Sequence, residues 1–254
     1  MQINELWQFP VKGLGGSMAE RISLTAGGYF PNDRRFAIST GTEKPATAAP
    51  GTWFKKAYFL QLMTHDALAD YHAAFDESGP SARLSISHRD GDGFSIDPDS
   101  PADCARLEAF FAAAFAGQLA GTPRLMQMRD QAYSDQSTPL ISIAGTASLD
   151  AFAAATDTKA DNRRFRINII LADIDAFGES ALIGKRIGCG NVIIDITAPV
   201  GRCIAINLDP ETSIRGPDHL AFMRRHFGHS SLGVFGTVVR GGVIGLKDRF
   251  RLIP

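Results

Sequence analysis

The feature that most constrains the fold is a succession of short apolar runs separated by turns rich in Gly, Pro and Asp. Each run alternates loosely between apolar and polar residues, which is typical of strands. The predicted strands cover residues 3–9, 21–24, 36–38, 83–88, 93–96, 122–128, 140–143, 162–171, 184–196, 234–240, 243–246 and 250–253. Many short strands with few helices predict a β-dominated α+β fold of barrel type and argue against a doubly wound parallel sheet.

A few helices are predicted from the 3.6-residue spacing of apolar residues. They cover residues 101–117, 149–155 and 218–227. Apolar residues between Leu60 and Tyr71 also recur at helical spacing, which predicts one more helix. The polar residues within this stretch are also compatible with a turn that interrupts the helix, and this alternative stays open. Ser148 precedes the predicted helix at 149–155 and is the expected N-cap.

The polar, turn-rich segment at residues 129–139 is the expected junction between two halves of the chain. The length is sufficient for one or two domains with proper cores. We therefore expect domains at 1–128 and 129–254, and leave open whether their packing is discontinuous in sequence.

Charge and cysteine content narrow the class of protein. The formal net charge is −1 at pH 7, which argues against nucleic-acid binding and against electrostatic attachment to a membrane. The sequence has neither a signal-peptide pattern nor an apolar run of about 20 residues. Its 3 cysteines show no CxxC or zinc-type spacing. We expect a soluble cytoplasmic protein in a reducing compartment.

The most chemically informative segment is the turn at residues 199–207, which contains Arg202 and Cys203. Strand-like residues on both sides place Cys203 at a strand edge. A guanidinium group beside a thiol favours the thiolate, the form that binds a soft metal or carries sulfur as a persulfide. The alternative is that Cys203 is a small buried hydrophobic residue. The local sequence gives the two interpretations equal weight.

The predicted strand at 162–171 begins with several arginines. Alternation along a strand places Arg164, Arg166 and Asn168 on one face. Guanidinium groups on one face match the oxygens of a phosphate or an anionic pterin. A row of solvated arginines is the alternative, and this segment alone slightly favours it.

Two further cationic segments lie near the start of the chain. The loop at 11–16 combines Lys12 with glycines whose N–H groups can approach an anion, although it lacks the P-loop spacing. Arg34 and Arg35 enter a strand, so only one of them can face a common pocket. For each segment alone, a hairpin loop or a solvated arginine pair is the favoured alternative.

In the order of its motifs, the chain resembles the MOSC family, which is named for the C-terminal domain of molybdenum cofactor sulfurase and includes the mitochondrial amidoxime-reducing component. Each motif is weak alone, but the ordered set spans nearly the whole chain. The motifs are FPVKGLGG at 9–16, NDRRF at 32–36, ASL at 147–149, RFRIN at 164–168, GRC at 201–203, DPET at 209–212 and FGH at 227–229.

The resemblance implies a smaller N-terminal β-barrel-like domain and a MOSC β-barrel with peripheral helices, with a molybdenum cofactor (molybdopterin) between them. It implies that Cys203 is the catalytic residue and the metal ligand, or the carrier of a persulfide. Whether Arg34 or Arg35 faces the cofactor stays open. The positions that resemble cofactor-binding ones are Lys12, Gly13, Arg34, Ser148, Arg166, Asn168 and Arg202.

The chain departs from the family pattern at four positions. Gly13 replaces a serine, Ile167 replaces a proline, and Gly201 replaces a small polar residue. Val200 stands where some members have another cysteine. These departures affect the number of cofactor contacts that is expected, not the metal ligand.

The activity implied by the resemblance is reduction of small N-hydroxylated or N-oxygenated compounds by a molybdenum-dependent oxidoreductase. Because the chain carries no ferredoxin-like cysteine set, electrons would come from a separate protein of the ferredoxin, flavodoxin or cytochrome b5 type. One alternative is a sulfur carrier or cofactor-binding protein with a persulfide on Cys203. Another is a two-barrel binding protein that has lost the cofactor.

Overall fold

The computed structural model describes residues 1–49 and 51–254. Strands outnumber helices among the elements of the described residues, and 23% of the chain is helical, which confirms the predicted β-dominated class. The strands are β1 Gln2–Gln8, β2 Ser17–Met18, β3 Arg21–Leu24, β4 Phe36–Ile38, β5 Tyr71–Asp76, β6 Arg83–His88, β7 Gly93–Ile96, β8 Leu125–Gln127, β9 Ile141–Gly145, β10 Ile169–Ala172, β11 Arg186–Cys189, β12 Val192–Gly201, β13 Ser231–Arg240, β14 Gly242–Gly245 and β15 Arg251–Ile253.

The helices are short, apart from two of three or more turns. The α-helices are α1 Glu43–Ala46, α2 Pro101–Ala114, α3 Thr146–Thr156, α4 Asn162–Phe165 and α5 His219–His226. Short 3-10 helices lie at Lys56–Tyr58, Asp66–Asp70, Gly178–Leu182 and Ile204–Asn207. Across residues 1–49 and 51–254, no helix has the length and apolar character needed to cross a membrane.

The chain divides into two compact units, both discontinuous in sequence. The large unit comprises Met1–Gln8, Met18–Pro31 and Thr138–Pro254. The inserted unit comprises Phe9–Ser17 and Asn32–Ser137. The expected domain boundary after residue 128 stays a prediction.

The large unit is built on an eight-stranded sheet in the order β15-β11-β12-β13-β9-β10-β1-β2. The sheet curls into a half-barrel. Strands β9 and β10 pair in parallel, so the connection between them crosses over through α3 and α4. Ile3, Leu6 and Val234 are among the buried residues that form the core of this unit. A second core joins the helices to the sheet and includes Phe152 of α3 and Met223 of α5.

The inserted unit contains the sheet β5-β6-β7, the pair β4-β8 and helix α2. Helix α2 confirms its prediction. Ser100 is its N-cap and accepts a hydrogen bond from the Asp103 N–H (3.4 Å), and Pro101 occupies the first turn. Leu107 and Phe111 of this helix are buried in the core of the unit.

The helix predicted between residues 60 and 71 is wrong. The N–H groups of Thr64 and His65 both donate to the Gln61 carbonyl (3.1 and 3.0 Å), which closes a turn there. A single 3-10 segment follows, and at Tyr71 the chain enters β5, which pairs with β6. Short apolar runs do not distinguish a helix from turns that lead into a buried strand, because both bury residues at similar spacing.

Candidate functional site

Cys203 lies immediately after the end of β12. Gly201 is the last strand residue, and the Arg202 N–H still donates to the Ser230 carbonyl (2.8 Å). At Cys203 the backbone is extended (φ −118°, ψ 175°), and a 3-10 helix begins at the next residue. The prediction of strand-like structure after Cys203 is therefore wrong, because the Ile206 N–H donates back to the Cys203 carbonyl (3.1 Å). The thiol is half-buried.

The strand predicted at 162–171 is wrong in its first half, where the structure has α4. Asp161 caps this helix by accepting a hydrogen bond from the Arg163 N–H (2.8 Å). Arg166 ends it in the left-handed region (φ 58°). The Asn162 side chain then bonds both the N–H and the carbonyl of Ile167 (3.0 and 2.8 Å). These local bonds reverse the chain before β10 begins at residue 169, so Arg164, Arg166 and Asn168 do not share a strand face.

Arg202 is brought against the end of α4. Its Nη1 donates to the Phe165 carbonyl (2.8 Å), and its guanidinium carbon lies 5.8 Å from the centroid of the Phe165 ring. Its Nε donates to the Val200 carbonyl (3.3 Å). Since Arg166 follows Phe165 directly, one region of the large unit contains Arg166, Arg202 and Cys203. We refer to these three residues as the cysteine site.

Asn168 is 2% exposed and its side chain is engaged inside the sheet. Its Oδ1 accepts hydrogen bonds from the N–H and the hydroxyl of Ser142 in β9 (3.1 and 2.8 Å). Its Nδ2 donates to the Trp7 carbonyl in β1 (3.4 Å). The amide therefore cross-links the two strands that flank β10.

Ser148 does not cap α3, because that helix begins at Thr146 and has Gly145 as its N-cap. The predicted N-cap role is wrong. Ser148 is fully buried, donates to Glu179 Oε2 (2.7 Å) and accepts a hydrogen bond from the Phe177 N–H (2.7 Å). The other oxygen of Glu179 accepts a hydrogen bond from the Gly233 N–H in β13 (3.0 Å). Ser148 thus belongs to a buried network that joins α3 to the sheet.

In the inserted unit, Lys12 lies in a cationic group. Its Nζ donates to the Tyr133 carbonyl (2.8 Å) and to Asp135 Oδ1 (2.8 Å). The Nζ of Lys56 lies 3.6 Å from Oδ2 of the same carboxylate. Burial opposes ionisation of this carboxylate, but the charges of Lys12, Lys56 and Arg34 outweigh it and lower its pKa. The sequence interpretation found Lys12 and missed Asp135 and Lys56, which have no motif of their own.

The two adjacent arginines have different partners. Arg34 pairs with Asp33, and its guanidinium carbon lies 5.5 Å from the centroid of the Phe9 ring. Arg35 pairs with Glu77 (2.7 Å) and lies over the ring of Phe75 (4.7 Å). Of the two, Arg34 is the one whose charge helps to lower the pKa of Asp135, the carboxylate that pairs with Lys12.

Gly13 occupies a position that glycine alone tolerates well. Its φ is +86°, and a Cβ atom there would lie 3.0 Å from Leu68 Cδ1 and 3.2 Å from the Leu60 carbonyl oxygen. A side chain would be strained by the backbone conformation and crowded by the core. This accounts for the glycine at the position where the family resemblance leads one to expect serine.

Residues 130–251 match the model of the MOSC domain family. This part of the chain is a MOSC domain. MOSC domains are associated with molybdenum-cofactor-binding proteins. No curated protein matches the sequence.

Solved structures with similarity to the chain include a YuaD protein and two YiiM proteins. The YuaD protein from Bacillus subtilis is 12% identical, with 98% of this chain and 93% of that chain covered and a TM-score of 0.47. YiiM from Geobacillus stearothermophilus is 17% identical, with 45% of this chain and 54% of that chain covered and a TM-score of 0.36. YiiM from Escherichia coli is 16% identical over the same shares of the two chains, with a TM-score of 0.34.

Proposed function

We propose that the chain is a molybdenum-cofactor-dependent oxidoreductase that reduces small N-hydroxylated or N-oxygenated compounds. The observation that carries the proposal is the position of Cys203, a half-buried thiol directly after a strand of the MOSC domain and next to Arg202. A thiolate suits a soft metal, and guanidinium groups suit the oxygens of an anionic pterin. The donor set of the cysteine site therefore fits a pterin-bound metal.

Within the cysteine site, Cys203 would bind the metal, and Arg166 and Arg202 would offset negative charge on the bound group. The bonds of Arg202 to the Phe165 and Val200 carbonyls fix its guanidinium before any ligand arrives. In the described part of the chain, His, Cys, Asp and Glu side chains form no group of three or more that could hold a metal ion. Lys12, Gly13, Arg34, Ser148 and Asn168 stay predictions as cofactor-binding residues.

When bound, the cofactor would supply the two-electron chemistry that cleaves the N–O bond. The reaction balances as one N-hydroxylated molecule, two electrons and two protons giving the reduced nitrogen compound and water. The electrons would come from a separate electron-transfer protein of the ferredoxin, flavodoxin or cytochrome b5 type.

The first test is the molybdenum and pterin content of the purified protein, expressed in a host that makes the cofactor. Wild type and Cys203→Ser are compared with Cys104→Ser, a matched control because Cys104 is also half-buried but lies on α2. We expect equal metal in wild type and Cys104→Ser, and loss of metal in Cys203→Ser. Wild-type protein without molybdenum would refute the proposal.

The second test is turnover of an amidoxime or a hydroxylamine with a chemically reduced viologen as electron source. Metal-loaded wild type should form the reduced nitrogen compound, and Cys203→Ser should not. If the wild type contains molybdenum but does not reduce these compounds, cofactor binding is supported and the proposed reductase activity is refuted.

The same half-buried thiol favours a second candidate, a sulfur carrier that holds a persulfide on Cys203. In that case the intact mass would exceed the sequence mass by one sulfur atom. The excess would disappear after treatment with a reductant and would be missing from Cys203→Ser, and the protein would contain no molybdenum.

A further inference from the structure

Arg164 of α4 is the most deeply buried cation near the cysteine site, with a side chain that is 1% exposed. Its Nη1 donates to the carbonyls of Ile206 (2.9 Å) and Leu208 (2.7 Å). Its Nη2 donates to Asp209 Oδ2 (2.9 Å). One guanidinium group thus holds three acceptors in the segment that directly follows Cys203.

Asp209 gives this arginine its counter-charge and also shapes the following turn. Its Oδ1 accepts hydrogen bonds from the N–H groups of Glu211 and Thr212 (both 2.9 Å). Its own N–H donates to the Ile214 carbonyl (3.0 Å). Burial opposes ionisation of Asp209, but these N–H bonds and Arg164 together lower its pKa. The motif at 209–212 is therefore a folded turn whose first residue is tied to α4.

Both flanks of Cys203 are bound to neighbouring residues of the same helix. Before the cysteine, Arg202 donates to the Phe165 carbonyl. After it, Arg164 holds the 3-10 helix that begins at Ile204. The backbone of Cys203 is thereby fixed between two attachments to α4.

We propose that Arg164 and Asp209 are positioning residues that hold the Cys203 thiol in a fixed place relative to Arg202. The inference rests on the proposed function in one respect, namely that Cys203 is the reactive group. The pair acts through the backbone of residues 204–209, and its loss would release one flank of the cysteine while the other stays bound.

The geometry of the guanidinium group is essential to this role. The two terminal nitrogens of the planar Arg164 guanidinium group donate to three acceptors that are spread over residues 206–209. A lysine ammonium is a single point and does not reproduce that spread. Arg164→Lys therefore keeps the charge and loses the attachment.

The test measures the alkylation rate of each cysteine in the folded, cofactor-free protein by mass spectrometry after timed exposure to iodoacetamide. Cys104 and Cys189 are internal references in every sample. The variants are Arg164→Lys and Asp209→Asn, the second of which keeps an oxygen to accept the N–H bonds of the turn. Arg163→Gln is the matched control, since Arg163 is adjacent on α4 but pairs with Asp161.

We expect Cys203 to be alkylated about tenfold faster in Arg164→Lys and Asp209→Asn, because charged hydrogen bonds that restrain the segment are lost. The rates at Cys104 and Cys189 should change less than about twofold, and Arg163→Gln should match wild type at all three cysteines. An unchanged rate at Cys203, or an equal rise at all three cysteines, would overturn the proposal and leave the pair a purely structural role.

This outcome is separate from the proposed function, because alkylation needs no cofactor. A selective rise at Cys203 in protein that never binds molybdenum would uphold the positioning role and refute the oxidoreductase. Should Arg164→Lys fail to fold, Asp209→Asn still decides the question, since it retains the turn-forming acceptor.

Discussion

The ammonium nitrogen of Lys12 lies 2.8 Å from Asp135 Oδ1, and the side chain of Lys12 is 11% exposed whereas that of Asp135 is 54% exposed. The carboxylate therefore covers a largely buried cation from the solvent side. Lys56 reaches the second oxygen of the same carboxylate. An anion that binds to Lys12 has to share the ammonium group with Asp135 or replace it there.

The first prediction concerns the pH dependence of stability at Asp135. The pKa of Asp135 is lowered from its ordinary value of 3.8, so its ionised form stabilises the folded state above that pH. The contribution is lost as the pH falls through the lowered pKa. Asp135→Asn should therefore reduce the free energy of unfolding at pH 7 by about 0.5 kcal/mol, a small loss because the carboxylate is half-exposed.

Urea unfolding of wild type and Asp135→Asn at pH 7, 5 and 3 measures this difference. The two proteins should converge at the acid end. Asp130→Asn, which changes an exposed carboxylate of the same segment, is the control and should match wild type throughout. A difference that grows on acidification would contradict the assigned sign.

The second prediction concerns Gly13. Gly13→Ala should lower the free energy of unfolding by more than the about 1–2 kcal/mol that a left-handed backbone costs a non-glycine residue. The additional loss comes from contact with Leu68 and Leu60. Gly91→Ala is the matched control in the same unit, because its φ is +99° and nothing lies within 4 Å of its Cβ position. Equal losses in guanidinium unfolding would show that crowding at Gly13 is negligible.

The third prediction separates a structural from a cofactor-binding role for Ser148. Ser148→Ala leaves a buried oxygen of Glu179 and the Phe177 N–H without their partner, which should destabilise the protein by about 1–3 kcal/mol. Ser180→Ala removes an exposed hydroxyl that donates to the Phe177 carbonyl (2.7 Å) and should cost much less.

Molybdenum content per folded molecule supplies the second measurement on these serine variants. It should be equal in Ser148→Ala and Ser180→Ala if Ser148 acts only inside the network. A specific loss of metal from Ser148→Ala, at unchanged stability, would instead assign it to cofactor binding.

The fourth prediction concerns the charge of Arg202. Arg202→Gln should weaken retention of the anionic cofactor by about tenfold, because a charge-assisted hydrogen bond is roughly twice as strong as a neutral one. Arg186→Gln, which breaks a half-exposed pair with Asp195 elsewhere on the sheet, is the control. Pterin content after gel filtration measures the retention. Equal losses from both variants would indicate a general effect of charge and no specific contact.

Local signals predicted part of the fold well. The hairpin of β6 and β7 forms around an Asp-Gly turn, and α2 starts at a Ser-Pro cap, so both are specified by neighbours in sequence. Residues 162–168 were predicted as a strand from the alternating pattern of their side chains. That pattern gives no sign of the hydrogen bonds between the Asn162 side chain and the backbone of Ile167 that reverse the chain. The helix prediction for the segment before β5 was wrong for a related reason. Tyr71 pairs with β6, which lies later in the sequence, and local apolar spacing does not show this pairing.

The candidate site was predictable to the extent that it lies in motifs. Arg202 and Cys203 were identified from their own turn, and the structure places them at the end of β12. Glu179 and Asp135 were missed because each meets its partner, Ser148 or Lys12, only through the tertiary fold. A lone acidic residue in a loop carries no pattern from which a buried or cationic partner can be inferred.

The pairing of β1 with β10 and of β3 with β14 has a consequence for biosynthesis. On the ribosome, the two early strands emerge before the whole of Asn32–Ser137, and their partners emerge only afterwards. Every strand of the inserted unit is available by then, whereas β3 waits for Gly242–Gly245. Unpaired apolar strands on a nascent chain are prone to aggregation. The large unit is therefore completed only after the inserted unit and Gly242–Gly245 have been synthesised, and β3 has no partner strand until that point.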